Sequence, residues 1–220
     1  MNEHNKHKNH KKQNENIFIT GIGTGVGKTI VSAIFCQALG YDYWKPIQSG
    51  ELDQSDSIQI SKLVDRKKTI HPETYRLQTP ISPHAAAAID GITIDIQNIS
   101  APQSENPIII EGAGGLLVPV NEQHTIADII AQLDAKVVLV CNHYLGSINH
   151  TLLSLAEIHK RNLPLLAIVF NGEANPDSES IIEKMGDCNL ILRIPHVKNM
   201  DAKWIENGAQ KIRSELIGKI

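Results

Sequence analysis

Near the N-terminus, a short apolar stretch at residues 17–20 is followed by a glycine-rich run and then by an apolar helical pattern at residues 30–39; the run is Gly21-Ile22-Gly23-Thr24-Gly25-Val26-Gly27-Lys28-Thr29. This order predicts a phosphate-binding P-loop between a strand and a helix. The glycines let the backbone curl, so that its N–H groups and the positive end of the helix surround one anionic group. A chance glycine-rich turn is the alternative interpretation.

The spacing of this loop differs by one residue from the common G-x-x-x-x-G-K-[ST] pattern, which would place its first glycine at Ile22 rather than Gly21. Within the loop, Lys28 is expected to reach the β- and γ-phosphates of a nucleotide, and Thr29 to offer its hydroxyl to Mg²⁺. The residues expected to bind the nucleotide here are Gly25, Val26, Gly27, Lys28, Thr29 and Ile30.

Composition narrows the class of protein. The chain has 220 residues, of which 41% are hydrophobic and 20% charged, which is enough to bury a core without disulfides or metal staples. The polar residues 1–15 are predicted to be a disordered tail, and residues 16–220 one domain. The net charge of −3 gives no sign of nucleic-acid binding.

Cysteine usage and hydropathy favour an enzyme of the cytoplasm. The three cysteines show no CxxC spacing, so neither a zinc site nor a disulfide framework is expected. No apolar run reaches the roughly 18 residues that span a bilayer, and the N-terminus lacks the hydrophobic segment of a signal peptide. We therefore expect a cytoplasmic protein with no membrane partner.

Short β-branched runs alternate with amphipathic helical patterns along the rest of the chain. Strands are predicted at residues 17–20, 41–45, 107–111, 136–141, 165–171 and 189–194, and helices at residues 28–39, 55–64, 125–133, 147–160, 177–185 and 201–217. The basic segment between Leu63 and Tyr75 is predicted to be a solvated loop. The βα order predicts an α/β fold with three layers: a doubly wound, mainly parallel sheet of the P-loop NTPase type.

Ligands of such sheets bind at the carboxyl ends of the strands, where this chain places its polar and glycine-rich residues. Glu111 ends an apolar run at the position of a Walker B acid and is a candidate Mg²⁺ ligand, with a turn or cap residue as the alternative. The glycine-rich residues behind it, Gly112, Ala113 and Gly114, allow close approach to phosphate.

Further charged candidates follow the second predicted strand. Lys45 would point toward the same crevice as Lys28 and suits phosphoryl transfer, although a lysine at a strand end can simply extend to solvent. Asp53 and Asp56 are both metal candidates, and either could instead cap the next helix.

Several separated motifs together resemble the dethiobiotin synthetase family. They are the long P-loop at residues 21–29, Lys45-Pro46-Ile47-Gln48-Ser49-Gly50, Ser55-Asp56, Ser82-Pro83-His84, Glu111-Gly112-Ala113-Gly114-Gly115 and Leu145-Gly146-Ser147-Ile148-Asn149-His150. The resemblance covers the chain from Ile17 onward, and the motifs occur in the family's order. Many members carry Asp and Glu inside the P-loop, where this chain has Gly23 and Gly25.

The resemblance implies an ATP- and Mg²⁺-dependent cyclising ligase that joins CO₂ to 7,8-diaminopelargonate. It implies Thr29, Asp56 and Glu111 as Mg²⁺ ligands, Lys45 and Lys28 as catalytic cations, and Thr24 and Ser49 as contacts to the diamine or its carbamate. It also implies a homodimer, in which the substrate carboxylate binds across the interface at Gly146, Ser147, Ile148, Asn149 and His150. The adenine site would be formed by Asn171, Pro195, His196 and Val197, with an ordinary turn residue before Gly172 as the alternative interpretation of Asn171.

Two other classes share the predicted fold. A partition-type regulatory ATPase usually carries an extra lysine early in the loop, where this chain has Gly23, and would leave Lys45 unexplained. A GTPase would need a guanine-binding Asn-Lys-x-Asp element, which the segments after Asn142 and Asn171 lack.

Overall fold

The computed structural model describes residues 15–195 and 201–217. Its strands are β1 (Ile17–Gly21), β2 (Asp42–Trp44), β3 (Ile47–Ser49), β4 (Ile70–His71), β5 (Tyr75–Leu77), β6 (Ile108–Glu111), β7 (Lys136–Cys141), β8 (Leu165–Gly172) and β9 (Ile191–Pro195). Its helices are α1 (Lys28–Leu39), α2 (Asp56–Leu63), α3 (Pro83–Ile89), α4 (Ile126–Leu133), α5 (Ser147–Lys160), α6 (Pro176–Met185) and α7 (Ala202–Leu216).

The main sheet has seven strands in the order β4-β2-β6-β1-β7-β8-β9, and every neighbouring pair in it is parallel. Strand β1 therefore lies in the middle, between β6 and β7. This topology confirms the predicted doubly wound parallel sheet, and it brings the ends of β1, β2, β6 and β8 to one edge.

Both faces of the sheet are buried, which explains the continuous apolar runs of its strands. Successive residues of β1 alternate between two cores: Phe18 faces a core with α3, α4, α5 and α6, whereas Ile17 and Ile19 face a core with α1, α2 and α7. Helices thus cover the sheet on both sides, as the three-layer prediction requires.

The segment between Leu63 and Tyr75 is not only a solvated loop, and this prediction was wrong. Ile70 and His71 form the edge strand β4, which pairs with Tyr43 and Trp44 of β2. The strand is two residues long and has no apolar pattern of its own, so only its pairing with β2 defines it.

A second, two-stranded parallel sheet joins β3 to β5 and was also absent from the prediction. It includes Ser49, which the sequence places in a loop after the preceding strand. Predicted helix and strand limits elsewhere differ by a few residues; for example, the predicted strand at 189–194 forms at Ile191–Pro195, and the strand at 41–45 ends at Trp44.

Residues 1–14 of the predicted tail lie outside the described residues, so the division into a tail and one domain stays a prediction. Among the helices of residues 15–195 and 201–217, none is both long and apolar enough to cross a membrane.

Candidate active site

The glycine-rich loop leads from the end of β1 into α1 with two left-handed backbone positions, Gly25 at φ 73° and Gly27 at φ 96°. A Cβ at Gly27 would lie 2.0 Å from the Nδ2 of Asn171, so a larger residue there would have to push the Asn171 side chain off Val26 and adopt a strained φ. No side chain caps the N-terminus of α1. Its first N–H groups are therefore available to an anion, as in other phosphate loops.

Lys28 folds back over this loop, and its Nζ donates to the carbonyl oxygen of Gly23 at 2.9 Å. Burial lowers the pKa of Lys28 to about 8; the charges of Glu111 and Asp56 act in the opposite direction, and that of Lys45 adds to the lowering. The lysine thus occupies a buried position from which a phosphate could draw it.

Three oxygen-bearing side chains from three elements converge beside the loop. Thr29 Oγ1, on α1, lies 2.9 Å from Asp56 Oδ1 and 3.0 Å from Glu111 Oε1. Asp56 is the first residue of α2, which Ser55 caps by accepting from the N–H of Ile58. Glu111 is the last residue of β6 and is 1% exposed.

This donor set fits Mg²⁺. Magnesium prefers oxygen ligands and is usually held by one or two carboxylates together with substrate phosphates, rather than by a full protein cage. Thr29, Asp56 and Glu111 would supply two carboxylates and a hydroxyl next to the phosphate loop. The part of the chain that the structure describes contains no cluster of three or more His, Cys, Asp or Glu suited to a metal.

Lys45 lies against both carboxylates. The strand register pairs Trp44 with Ile110, so the next residues, Lys45 and Glu111, come side by side. The Lys45 ammonium contacts Asp56 Oδ2 and lies 3.3 Å from Glu111 Oε1. The predicted catalytic lysine and the predicted metal ligands are thus brought together.

The charges in this cluster support one another. Burial alone would lower the pKa of Lys45, but Glu111 and Asp56 outweigh it and raise the pKa above its ordinary value. Burial likewise opposes ionisation of Asp56, yet Lys45 and Thr29 hold its pKa below the ordinary value. Lys45 is therefore charged and Asp56 ionised at neutral pH.

Sequence reasoning missed Tyr43, whose hydroxyl donates to Glu111 Oε2 at 3.1 Å. Tyr43 is fully buried, and burial together with the charges of Glu111 and Asp56 raises its pKa well above the ordinary value. It therefore stays protonated and acts as a donor. The available signal was strand alternation, because Tyr43 and Lys45 are two residues apart and point to the same face.

The glycine-rich segment after β6 packs behind the phosphate loop. The N–H of Gly112 donates to Ile19 at 3.0 Å, and the N–H of Leu116 donates to Gly21 at 3.1 Å. A Cβ at Gly115 would come within 3.3 Å of Gly21 and Gly23. Gly112, Ala113 and Gly114 therefore lie close to the loop that is predicted to bind phosphate.

Two of the residues predicted for the adenine site, Asn171 and Pro195, lie at the ends of β8 and β9. Asn171 donates through Nδ2 to the carbonyl oxygen of Val26 at 2.9 Å, so its amide also holds the phosphate loop. Pro195 is exposed at the end of β9, next to Gly172. His196 and Val197 lie outside the described residues.

The predicted substrate residues are distributed over separate surfaces of one chain. Thr24 and His150 line a cavity of about 400 Å³, which Leu117 and Leu153 also line. Gly146, Ser147, Ile148 and Asn149, at the start of α5, line a different cavity of about 790 Å³. Ser49 lies in β3, and its buried hydroxyl has no hydrogen-bond partner among the described residues.

Comparison with known proteins finds similarity along most of the chain. A family model described as an AAA domain matches residues 15–203. The ATP-dependent dethiobiotin synthetase BioD of Christiangramia forsetii is 48% identical over 200 residues, which cover 90% of this chain and 96% of that protein. The protein of the same name from Cytophaga hutchinsonii is 50% identical over 179 residues, covering 80% and 86% respectively.

Solved structures show the same fold at much lower identity. A putative plasmid partition protein from Borrelia burgdorferi bound to AMPPNP has a TM-score of 0.59 at 13% identity, and covers 95% of this chain and 100% of its own. The septum site-determining protein MinD from Pyrococcus horikoshii, complexed with Mg-ADP, has a TM-score of 0.56 at 13% identity, covering 94% and 98%. At these identities the likeness concerns the fold alone.

Proposed function

The chain belongs to the ATP-dependent dethiobiotin synthetases, a family of ligases, and on this premise we propose that it converts 7,8-diaminopelargonate, CO₂ and ATP into dethiobiotin, ADP and phosphate. The observation that carries the proposal is the position of Lys45. Its ammonium lies on two carboxylates beside the phosphate loop, where a transferring phosphoryl group and an anionic acceptor would meet.

Three steps complete the reaction. One amine of the substrate attacks CO₂ and loses a proton, which gives a carbamate. A carbamate oxygen then attacks the γ-phosphorus of ATP and releases ADP, which leaves a mixed carbamic-phosphoric anhydride. The second amine attacks the carbamate carbon, loses its proton and expels phosphate, which closes the cyclic urea.

No side chain has to form a covalent bond in this sequence, so the protein contributes positioning and charge. Lys28 would neutralise the β- and γ-phosphates when nucleotide draws it from the Gly23 carbonyl. Lys45 would neutralise the carbamate and the oxygens that transfer with the phosphoryl group.

Thr29, Asp56 and Glu111 would hold Mg²⁺, which supplies Lewis-acid stabilisation of the phosphate oxygens when bound. The Thr29 hydroxyl lies within hydrogen-bonding distance of one oxygen of each carboxylate, which supports this assignment. On the nucleotide, Asn171, Pro195, His196 and Val197 would surround the base, while Gly112, Ala113 and Gly114 would lie near the phosphates.

The diamine would bind between two copies of the chain. Thr24 and Ser49 would contact the diamine or its carbamate, and the substrate carboxylate would bind the start of α5 in the partner, at Gly146, Ser147, Ile148, Asn149 and His150. No side chain caps α5, and Leu145 just before it is fully exposed, both of which favour an interface there. We expect the molar mass measured by light scattering to be that of a homodimer.

The test is an omission experiment. Purified protein is incubated with 7,8-diaminopelargonate, bicarbonate, ATP and Mg²⁺, and dethiobiotin is measured by mass spectrometry with each component left out in turn. Product that requires all four supports the proposal. ATP hydrolysis that ignores the diamine and yields no dethiobiotin would point instead to a regulatory ATPase.

Two neighbouring aspartates provide a matched pair of variants. Asp56 contacts Thr29 and Lys45, whereas Asp53 is exposed in a short 3₁₀ turn. Asp56→Asn is expected to reduce turnover by about tenfold or more, and Asp53→Asn to retain it. Equal activity in the two variants would exclude Asp56 from the metal site.

A further inference from the structure

Glu111 has two oxygens with different surroundings. Oε1 faces the predicted metal position, since it lies 3.0 Å from Thr29 Oγ1 and 3.3 Å from Lys45 Nζ. Oε2 faces the core, and among the described residues its only hydrogen-bond donor is the hydroxyl of Tyr43, at 3.1 Å. The carboxylate is 1% exposed, so water cannot replace that donor freely.

Tyr43 is itself fixed on both sides. It lies in β2, where it pairs with Ile70 of β4 on one side and with Ile109 of β6 on the other. Its N–H donates to Thr69 at 2.9 Å. The ring belongs to the buried apolar cluster on the α1 side of the sheet, so it presents its hydroxyl to Glu111 from a rigid position.

We propose that Tyr43 is a positioning residue for Glu111: its hydroxyl holds Oε2 on the core side, so that Oε1 is presented to the cation. When a cation binds Oε1 and displaces Lys45, Tyr43 is the donor that keeps the carboxylate from rotating. The inference rests on the proposed metal role of Glu111. It adds a residue that is not itself a ligand, in the manner of the outer partners that orient other metal ligands.

The test is Tyr43→Phe, which removes one oxygen and keeps the ring. The probe is Mn²⁺, titrated against the full-length protein with saturating ADP and followed by electron paramagnetic resonance, which requires no turnover. The affinity for Mn²⁺ is expected to fall about tenfold. An unchanged affinity would overturn the proposal.

Tyr75→Phe is the matched control. The Tyr75 hydroxyl also makes hydrogen bonds, to the backbone of Asp95, but it has no contact with the metal cluster. Its variant should bind Mn²⁺ like the wild type. A similar loss in both variants would indicate a general effect on the fold and would overturn the positioning role.

If Tyr43→Phe does not fold, a double variant provides the test. Tyr43→Phe leaves the buried charge of Glu111 without its donor, whereas adding Glu111→Gln removes that charge as well. If Tyr43 acts through Glu111, the double variant and Glu111→Gln alone should bind Mn²⁺ equally. A further loss in the double variant would refute the proposal.

The proposed function is tested separately by product formation. A protein that binds Mn²⁺ in a Tyr43-dependent way but makes no dethiobiotin would refute the ligase reaction and support the positioning role. A wild type that binds no Mn²⁺ with ADP would refute the positioning role, whatever its product.

Discussion

Replacing Lys45 by methionine should destabilise the metal-free protein, because Lys45 is the cation between Asp56 and Glu111. The side chains of Lys45 and Glu111 are 6% and 1% exposed, while that of Asp56 is 23% exposed. Loss of one partner of a buried ion pair costs about 3–5 kcal/mol, and the partial exposure of Asp56 favours the lower end, about 3 kcal/mol. For a chain of this size, that loss lowers the melting temperature by about 6–12 °C.

The assay is urea and thermal unfolding in EDTA and again with saturating Mg²⁺. Because Mg²⁺ can take the place of the lost ammonium, it should stabilise Lys45→Met more than the wild type, in which it must first displace Lys45. Lys62→Met is the control, since Lys62 is exposed on α2 and its loss should change stability by less than about 0.5 kcal/mol. Equal stability of Lys45→Met and wild type in EDTA, or equal stabilisation by Mg²⁺, would refute this account.

Three further predictions concern other contacts. ADP affinity without metal should fall above pH 8, by up to about tenfold per pH unit, because Lys28 has a folded pKa of about 8 and loses its charge there. Folding stability should follow the opposite trend. Since the ordinary pKa of Lys28 is 10.5, the unfolded chain holds more protons between pH 8 and pH 10.5, and the contribution of Lys28 to stability rises with pH in that range. A pH-independent affinity by calorimetry would contradict the first part. Gly27→Ala should abolish measurable ADP binding, because its φ of 96° is strained for alanine and its Cβ would lie 2.0 Å from Asn171 Nδ2; retained binding would show that the loop can relax. Arg161→Met should lower the free energy of unfolding by about 1 kcal/mol, because Arg161, just after α5, bridges to Asp128 of α4 at 2.8 Å and to Glu157 of α5 at 2.6 Å. A loss that persists unchanged in high salt would exclude the ion pairs as its cause.

Most of the main sheet could be predicted from sequence because most of its strands have a recognisable local pattern of residues. The apolar runs that became β1, β6 and β7 are continuous, as strands buried on both faces are. Strand β4 could not be predicted in this way: Ile70 and His71 have no distinguishing pattern and become a strand because β2 is beside them. The same holds for β3 and β5, which pair across more than 20 residues.

The residues of the candidate site likewise fall into two groups: those marked by a local sequence pattern and those brought together only by the tertiary structure. Lys28, Thr29 and Glu111 stand out because a glycine-rich loop and a strand end mark them. Alternation along the strand places Tyr43 on the same face as Lys45, but the contact of Tyr43 with Glu111 also depends on the register between β2 and β6, which no local pattern specifies. The choice between Asp53 and Asp56 needed a resemblance for the same reason, and the structure brings Asp56, not Asp53, into contact with Thr29.

The central place of β1 has a consequence for the synthesis of the chain on the ribosome. Its neighbours in the sheet are β6 and β7, so the phosphate loop, although made early, has no sheet to anchor it until translation has passed residue 111 and then residue 141. The Asn171 side chain that holds Val26 is made later still. At about 5–20 residues per second, the nascent loop waits on the order of ten seconds for these partners. A nascent chain therefore gains its nucleotide pocket only after β6, β7 and β8 have been made, and a truncated product that stops before β7 should not compete for ATP.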